Sequence, residues 1–179
     1  MSKAILPLLI LIFLAALIDG IDQSIVSVAM PTLCNSLGIT LSNGSWIVLG
    51  YMLGIASLMI PFGKMAKNGR IKKFFISGTA LMAIGSMGSA IMVISGNFEL
   101  MICLRVIQGI GAAMFCASIP CIIVHDLPSD MKGTGMAAMG AASGVSLIIA
   151  PLSGGVIATF YCPAVFMITP ILAVVLIIL

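Results

Sequence analysis

Charged side chains are scarce in this sequence, since Lys, Arg, Asp and Glu make up only 7% of its 179 residues. A soluble domain carries about 25% charged residues, which it needs for a polar surface. Apolar residues reach 61% here, so most of the chain is expected to face lipid rather than water. The net charge is only +3, without the basic stripe of a nucleic-acid-binding protein, so no nucleic-acid partner is predicted.

Histidine and paired cysteines are equally sparse. The five cysteines show no C-x-x-C spacing, and the chain has a single histidine. The cysteines are therefore interpreted as small packing residues in helices rather than as metal or redox sites. The sequence has no recognisable nucleophile–base pair, metal cluster or nucleotide loop, so we predict no enzyme activity, no cofactor and no metal.

Long apolar runs are abundant, and six of them approach the roughly 20 residues that a spanning helix needs. The first run is too long for a signal peptide and lacks an A-x-A cleavage site, so it is interpreted as a retained helix. The pattern predicts an all-α polytopic membrane protein, with one transmembrane domain over residues 1–179 that is cut off within its sixth helix. The predicted spans cover residues 4–33, 46–66, 74–95, 100–124, 135–160 and 164–179.

Basic residues fall on one side of this predicted membrane. Lys3, the second connection and the fourth connection hold the Lys and Arg residues that lie outside the apolar runs. The positive-inside rule then places both termini in the cytoplasm, as expected for a multi-pass plasma-membrane protein.

A weak internal repeat relates the two halves of the chain. Residues 57–63 resemble residues 146–154, and residues 28–31 resemble residues 117–120. The matching helices start on opposite sides of the membrane, so the similarity predicts two inverted three-helix repeats, an arrangement typical of transporters. Because the matches are short, chance similarity is the alternative.

Four polar side chains inside the apolar runs are the candidate functional residues: Asp19, Asp22, Arg105 and Gln108. A charge near the centre of a spanning helix costs about 2.5–3.5 kcal/mol, so such residues usually line a cavity or face a partner. Asp19 and Asp22 share one helix face, as do Arg105 and Gln108. We interpret them as a proton- or cation-responsive acid beside a fixed guanidinium, the alternative being charges that only hold two helices together.

The fifth predicted helix is rich in small residues. Gly140 and Gly144 have the spacing of a close-packing motif. Pro151, followed by Gly154 and Gly155, predicts a bend toward one end of the helix, which is interpreted as part of a gate.

The basic second connection contains Gly63, Gly69, Arg70 and Lys72. Its charges would favour the cytoplasmic face and anionic lipid. Its glycines indicate a tight turn between closely packed helix ends.

Taken together, these segments resemble the N-terminal half of a major facilitator superfamily transporter. Residues 105–113 are similar to the family's fourth-helix motif R-x-x-Q-G-x-G-A-A, and residues 63–73 resemble its loop motif G-x-L-A-D-R-x-G-R-K. Residues 21–31 resemble the first-helix motif L-D-x-T-I-V-N-V-A-L-P of drug:proton antiporters, and this match singles out Asp22. Residues 140–155 resemble the antiporter motif G-x-x-x-G-P-x-x-G-G, and residues 46–51 fit the fourteen-helix drug:proton antiporter branch.

Three departures from these motifs stand out. Lys67 replaces the acid of the loop motif, Ala150 replaces the glycine before Pro151, and Cys162 with Pro163 occupies the place of an aromatic W-R-W sequence. The Gly-Arg pair of the loop motif also comes one residue early, as Gly69 and Arg70, so with Lys67 the resemblance does not imply the charge relay that the family's loop supports.

The resemblance implies a transporter that exports drugs or small molecules in exchange for protons and works with a missing C-terminal half or with a second copy of itself. Two alternatives are open at this point: a family member that imports a solute, and a non-transporting remnant or membrane interaction protein.

Overall fold

Six α-helices account for nearly all of the described chain in the computed structural model, which describes residues 5–66 and 69–178. This confirms the predicted all-α fold. The predicted boundaries at positions 4 and 179, and the predictions for Lys3 and Lys67, lie outside the described residues. The helices are α1 (Ile5–Leu37), α2 (Leu41–Ala66), α3 (Ile71–Ser95), α4 (Phe98–Asp126), α5 (Lys132–Phe160) and α6 (Ala164–Ile178).

Length and hydropathy qualify five of these helices, α1 to α5, to cross a membrane. The sixth is more apolar than the other five but has only 15 described residues. At about 1.5 Å of rise per residue, α6 is shorter than a bilayer core is thick.

The helices extend beyond the apolar runs at several ends. α1 continues to Leu37 and α2 begins at Leu41, so the predicted boundaries at Leu33 and Trp46 were wrong. Gly38, with φ of +65°, makes the turn that separates α1 from α2, a conformation that favours glycine. The sequence prediction missed these helical turns because it relied on apolar runs, and the side chains of these turns are polar, as suits the water–lipid interface.

The packing of the helices follows the predicted inverted repeat. α2 lies mainly against α4, and α1 lies mainly against α5. In the predicted repeat, α1 corresponds to α4 and α2 corresponds to α5. The α2–α4 pair of one repeat order is therefore equivalent to the α5–α1 pair of the other. α3 packs against α4 and α6. The arrangement is that of the six-helix half predicted above.

Glycines at matching positions lie against the partner helix in both pairs. When Pro31 is aligned with Pro120, Gly20 corresponds to Gly109. A Cβ atom at Gly109 would lie 2.2 Å from the Tyr51 carbonyl oxygen of α2, and one at Gly20 would lie 1.9 Å from Ser146 Oγ of α5. The repeat therefore places a glycine contact at the same position of α1 and α4.

The fourth helix is the most enclosed one. In its most apolar 18-residue window 61% of the residues are buried, compared with 22% in α2 and 28% in α5. The polar side chains of α4 are consequently held inside the bundle, whereas α2 and α5 each leave a broad apolar face uncovered.

Candidate functional site

Asp22 is buried in the middle of the bundle, with 2% of its surface exposed. Its two carboxylate oxygens accept hydrogen bonds from Nε2 of Gln108, at 2.9 and 3.0 Å. The Thr169 hydroxyl of α6 also donates to Asp22 Oδ1. A buried carboxylate needs such partners because it has lost its hydration, and here they come from two other helices.

Arg105 is the largest of the fully buried side chains, with 1% exposure. Its Nη1 donates to Gln108 Oε1 at 2.7 Å, and its Nε donates to the Ile47 carbonyl oxygen at 3.3 Å. The guanidinium carbon also lies 4.7 Å from the ring centre of Tyr51 and 5.4 Å from that of Phe166. Aromatic rings at these distances attract the cation and shield it from lipid.

Gln108 therefore connects the two opposite charges. A direct ion pair between Asp22 and Arg105 is absent from the described residues, where the recorded salt bridge is that of His125 with Asp126. The neutral amide accepts from Arg105 with its oxygen and donates to Asp22 with its nitrogen. The cluster of Asp22, Gln108, Arg105 and Thr169 is called the buried polar cluster below.

Asp19 lies one helical turn from Asp22 and has separate partners. The Cys116 thiol donates to Asp19 Oδ1 at 3.0 Å, and Gln23 Nε2 donates to Asp19 Oδ2 at 3.0 Å. Asp19 is only half-buried, in contrast to Asp22. Both acids face α4, as their shared helix face predicted, but only Asp22 is fully enclosed.

Two neighbouring residues of α3 help to position the groups that α4 and α6 contribute. A Cβ atom at Gly85 of α3 would lie 2.7 Å from Gln108 Cβ, so the glycine makes room for the amide. The buried Ser86 hydroxyl donates to the Phe166 carbonyl oxygen at 2.6 Å and ties α6 to α3. This bond fixes the α6 segment that presents Phe166 and Thr169 to the buried polar cluster.

Tyr51, Phe166, Thr169 and Cys116 were missed as site residues by the sequence reasoning. Thr169 had a usable signal, because it is the one hydroxyl-bearing residue in the apolar run of residues 164–179. The others look like ordinary helix residues in the sequence.

The predicted residues of the fifth helix fall into two groups. Gly154 is buried, and a Cβ there would lie 2.5 Å from Ile25 Cγ1 of α1, whereas Gly155 has Val28 at 3.9 Å. Gly140 and Gly144 are exposed, and a Cβ at either would meet nothing within 4 Å. Their predicted close packing is therefore not made within the described chain. Pro151 is also exposed, inside α5.

The described part of the basic connection between α2 and α3 is exposed. Gly69, with φ of +75°, forms the turn, and Arg70 and Lys72 are exposed. Gly63 lies inside the last turn of α2 rather than in the connection, and its carbonyl accepts from the Cys121 thiol at 4.0 Å. Because Gly63 belongs to α2, assigning it to the turn was wrong, and a Cβ there would make only an ordinary contact, 4.0 Å from Ala117 Cβ.

A polytopic helical bundle that encloses a hydrogen-bonded acid and guanidinium in its apolar interior has the construction of a membrane transporter. The profile of the Major Facilitator Superfamily matches residues 12–179. The chain belongs to this family, whose members are transporters rather than enzymes, and it is a multi-pass membrane protein. The resemblance drawn from the motifs is thereby confirmed.

Individual relatives carry transport and resistance names. The chain is 29% identical over 161 residues to the riboflavin transporter RibZ of Clostridioides difficile, covering 89% of this chain and 35% of the relative. It is 37% identical over 117 residues to a methylenomycin A resistance protein of Bacillus subtilis, covering 65% and 24%. Its identity to the multidrug export protein EmrB of Escherichia coli K12 is 30% over 150 residues, covering 83% and 28%. The chain thus spans about a third or less of the length of these relatives.

Proposed function

We propose that this chain is the N-terminal six-helix part of a proton-coupled exporter of drugs or other small molecules. The observation that carries the proposal is the buried polar cluster, in which a carboxylate and a guanidinium share one amide between α1 and α4. Structural stability alone does not require this arrangement, because well-packed apolar residues of similar volume are often as stable as buried charges.

The cluster supports coupling through a change in local charge. When Asp22 takes up a proton, its negative charge disappears while Arg105 stays positive. The hydrogen bonds from Gln108 and Thr169 to Asp22 weaken, because bonds to a charged acceptor are the stronger ones. Since these bonds join α1 to α4 and α6, protonation would alter how the three helices are held.

Other parts of the chain have supporting roles in this proposal. The bend at Pro151, with Gly154 and Gly155, would let α5 change shape against α1. The basic connection with Arg70 would hold the cytoplasmic side of a plasma-membrane protein whose termini are both cytoplasmic. A second six-helix half, or a second copy, would complete the substrate cavity.

A liposome assay with an imposed pH gradient tests the function. We expect gradient-driven movement of a lipophilic cationic dye by the unaltered chain, and loss of that movement with Asp22→Asn. Asp126→Asn is the matched control, because Asp126 is an exposed acid at the end of α4 whose recorded partner is His125. Equal activity of Asp22→Asn would contradict the role of Asp22. The absence of movement in every variant would contradict completion of the substrate cavity by a second copy of this chain.

Solute uptake is the second candidate, favoured by the similarity to a relative named as a riboflavin transporter. An uptake protein would bind its solute in Asp22→Asn but would no longer couple that binding to protons. Measuring riboflavin binding and the direction of flux in the same liposomes separates the two functions.

A further inference from the structure

Two hydroxyl groups of the described helices depart from the pattern that the others follow. Serine and threonine in these helices mostly donate to a carbonyl of their own helix, as Thr79 does to the Phe75 carbonyl oxygen at 2.7 Å. Ser86 and Thr169 donate to a different helix instead, and in both cases α6 is one of the two partners. Polar contacts therefore hold α6 to the bundle at two points, in addition to its apolar packing.

Pro170, inside α6, explains why the Ser86 contact forms. Proline has no N–H, so the Phe166 carbonyl four residues earlier lacks the donor that an uninterrupted helix would supply. The Ser86 hydroxyl of α3 donates to this carbonyl at 2.6 Å. The Phe166 ring also lies 5.4 Å from the Arg105 guanidinium carbon. Phe166 is consequently held from two sides, while the α6 backbone just beyond it lacks one of its own hydrogen bonds.

Thr169 lies directly before Pro170 and links α6 to α1. Its side chain is 3% exposed, and its hydroxyl donates to Asp22 Oδ1. Beyond Pro170 the described side chains of α6 are apolar, and Ala173 and Leu176 are buried. Lipid is as apolar as these side chains, so no hydrophobic effect drives them against α1. The Thr169 bond is therefore the directional contact between this part of α6 and α1.

We propose that Thr169 is the residue through which α6 responds to the charge of Asp22. While Asp22 is a carboxylate, the hydroxyl donates to it and keeps the second half of α6, beyond Pro170, against α1. A neutral Asp22 is a weaker acceptor, and the hydroxyl then turns to the Val165 carbonyl of its own helix, a partner that threonine takes readily in helices. The second half of α6 then moves away from α1 about the fixed Phe166.

The ionisable groups in the neighbourhood of Asp22 are on α1, α2 and α4. They are Asp19, Tyr51, Arg105 and Cys116. Within the described residues, the lysines of α2, α3 and α5 lie in a terminal turn of each helix, and α6 has no ionisable side chain. Since α6 has no charge of its own, its response to Asp22 depends on the hydroxyl of Thr169. This inference rests on the proposed function only in taking proton uptake by Asp22 as the natural trigger.

Labelling of a buried cysteine measures the proposed movement without a transport assay. In a chain in lipid whose five cysteines are replaced by serine, Ala173→Cys places a thiol on the buried side of α6 beyond Pro170. We expect N-ethylmaleimide to modify this thiol about tenfold faster with Asp22→Asn or with Thr169→Val, because a hydrogen bond to a charged group has been lost. Val165→Cys, which is buried before Pro170, should react at an unchanged rate.

Combining the variants separates a response to Asp22 from a general loosening of the bundle. If Thr169 transmits the charge of Asp22, the double variant Asp22→Asn with Thr169→Val should be labelled no faster than either single variant, whereas independent effects would multiply. Thr79→Val is the matched control, because Thr79 is similarly buried but donates to its own helix, and it should leave labelling at position 173 unchanged. Multiplied rates, or faster labelling of Val165→Cys as well, would overturn the role of Thr169.

The pH dependence distinguishes failure of this inference from failure of the proposed function. The Ala173→Cys rate with the natural Asp22, divided by the rate with Asp22→Asn at the same pH, cancels the pH dependence of the thiol itself. We expect this ratio to rise from about one tenth at neutral pH toward one on acidification, as Asp22 becomes neutral. A ratio that stays low at every pH would overturn proton uptake by Asp22, and the proposed coupling with it. A ratio of one at neutral pH would overturn the response of α6 alone.

Discussion

Gln108 holds the buried polar cluster together, because its amide is bonded to Asp22 and to Arg105 at once. Replacing it with leucine would leave both charged groups buried and short of a partner. We expect Gln108→Leu to lower the free energy of unfolding by about 2–4 kcal/mol, as measured by denaturant titration in micelles. Gln23→Leu is the matched control, since its half-buried amide is bonded only to Asp19, and we expect a loss below about 1 kcal/mol. Equal losses in the two variants would contradict the bridging role.

Individual residues of the cluster were predictable to different degrees. Asp22, Arg105 and Gln108 could be found because polar side chains inside apolar runs are conspicuous, and their spacing showed which of them share a helix face. Their partners Tyr51, Phe166 and Thr169 come from helices that are distant in the sequence. Contact between them depends on how each helix is rotated and placed, which local spacing does not specify. For the same reason, the bridging position of Gln108 between the two charges became visible only in the structure.

Close approach of α2 and α4 is decided by two glycines. A Cβ at Gly54 would lie 2.7 Å from the Val106 carbonyl oxygen, and one at Gly109 would lie 2.2 Å from that of Tyr51. Both contacts are with backbone, so neither neighbour can move aside without shifting its helix. We expect Gly109→Ala to destabilise the chain by about 2 kcal/mol or more, measured as a lower melting temperature.

Replacing Gly140 with alanine should change the stability in the opposite direction. Gly140 faces open space inside α5, so the added methyl group meets nothing within 4 Å. Alanine also costs less conformational entropy in a helix, and we expect Gly140→Ala to stabilise the chain by about 0.5–1 kcal/mol. A comparable loss of stability in both glycine variants would show that helix crossing does not explain the Gly109 effect.

Helix existence was easier to predict than helix contacts. Apolar length identified all six helices, since a spanning segment must bury its backbone polar groups in its own hydrogen bonds. The ends at Leu37 and Leu41 were missed because helical hydrogen bonding continues past the apolar residues. Glycine spacing predicted close packing at Gly140 and Gly144, but spacing alone does not reveal which residues of a helix meet a neighbour. Gly154 meets α1, whereas Gly140 and Gly144 meet none of the described helices.

The whole chain has a definite expected orientation in the membrane. Basic residues at the α2–α3 connection and at the start of α5 predict that these ends are cytoplasmic, which places the α3–α4 connection outside. In a chain whose five cysteines are replaced by serine, Asn97→Cys should react with an impermeant maleimide added to intact cells. Asp130→Cys should react only after the membrane is permeabilised. The reverse pattern would contradict the predicted orientation and both cytoplasmic termini.

The uncovered faces of α2 and α5 indicate where a second helical bundle would pack. Gly140, Gly144 and Pro151 are exposed on α5, and small residues on a membrane helix allow another helix to approach closely. Lipid chains do not need that space, so we expect a second copy or a second half to pack there. Labelled copies in liposomes should show energy transfer, and Gly144→Leu should weaken their association about tenfold without lowering the melting temperature. Ile84→Phe adds bulk to an exposed position on α3 and should leave the association unchanged. If Gly144→Leu and Ile84→Phe behave alike, the α5 face does not contact a second copy.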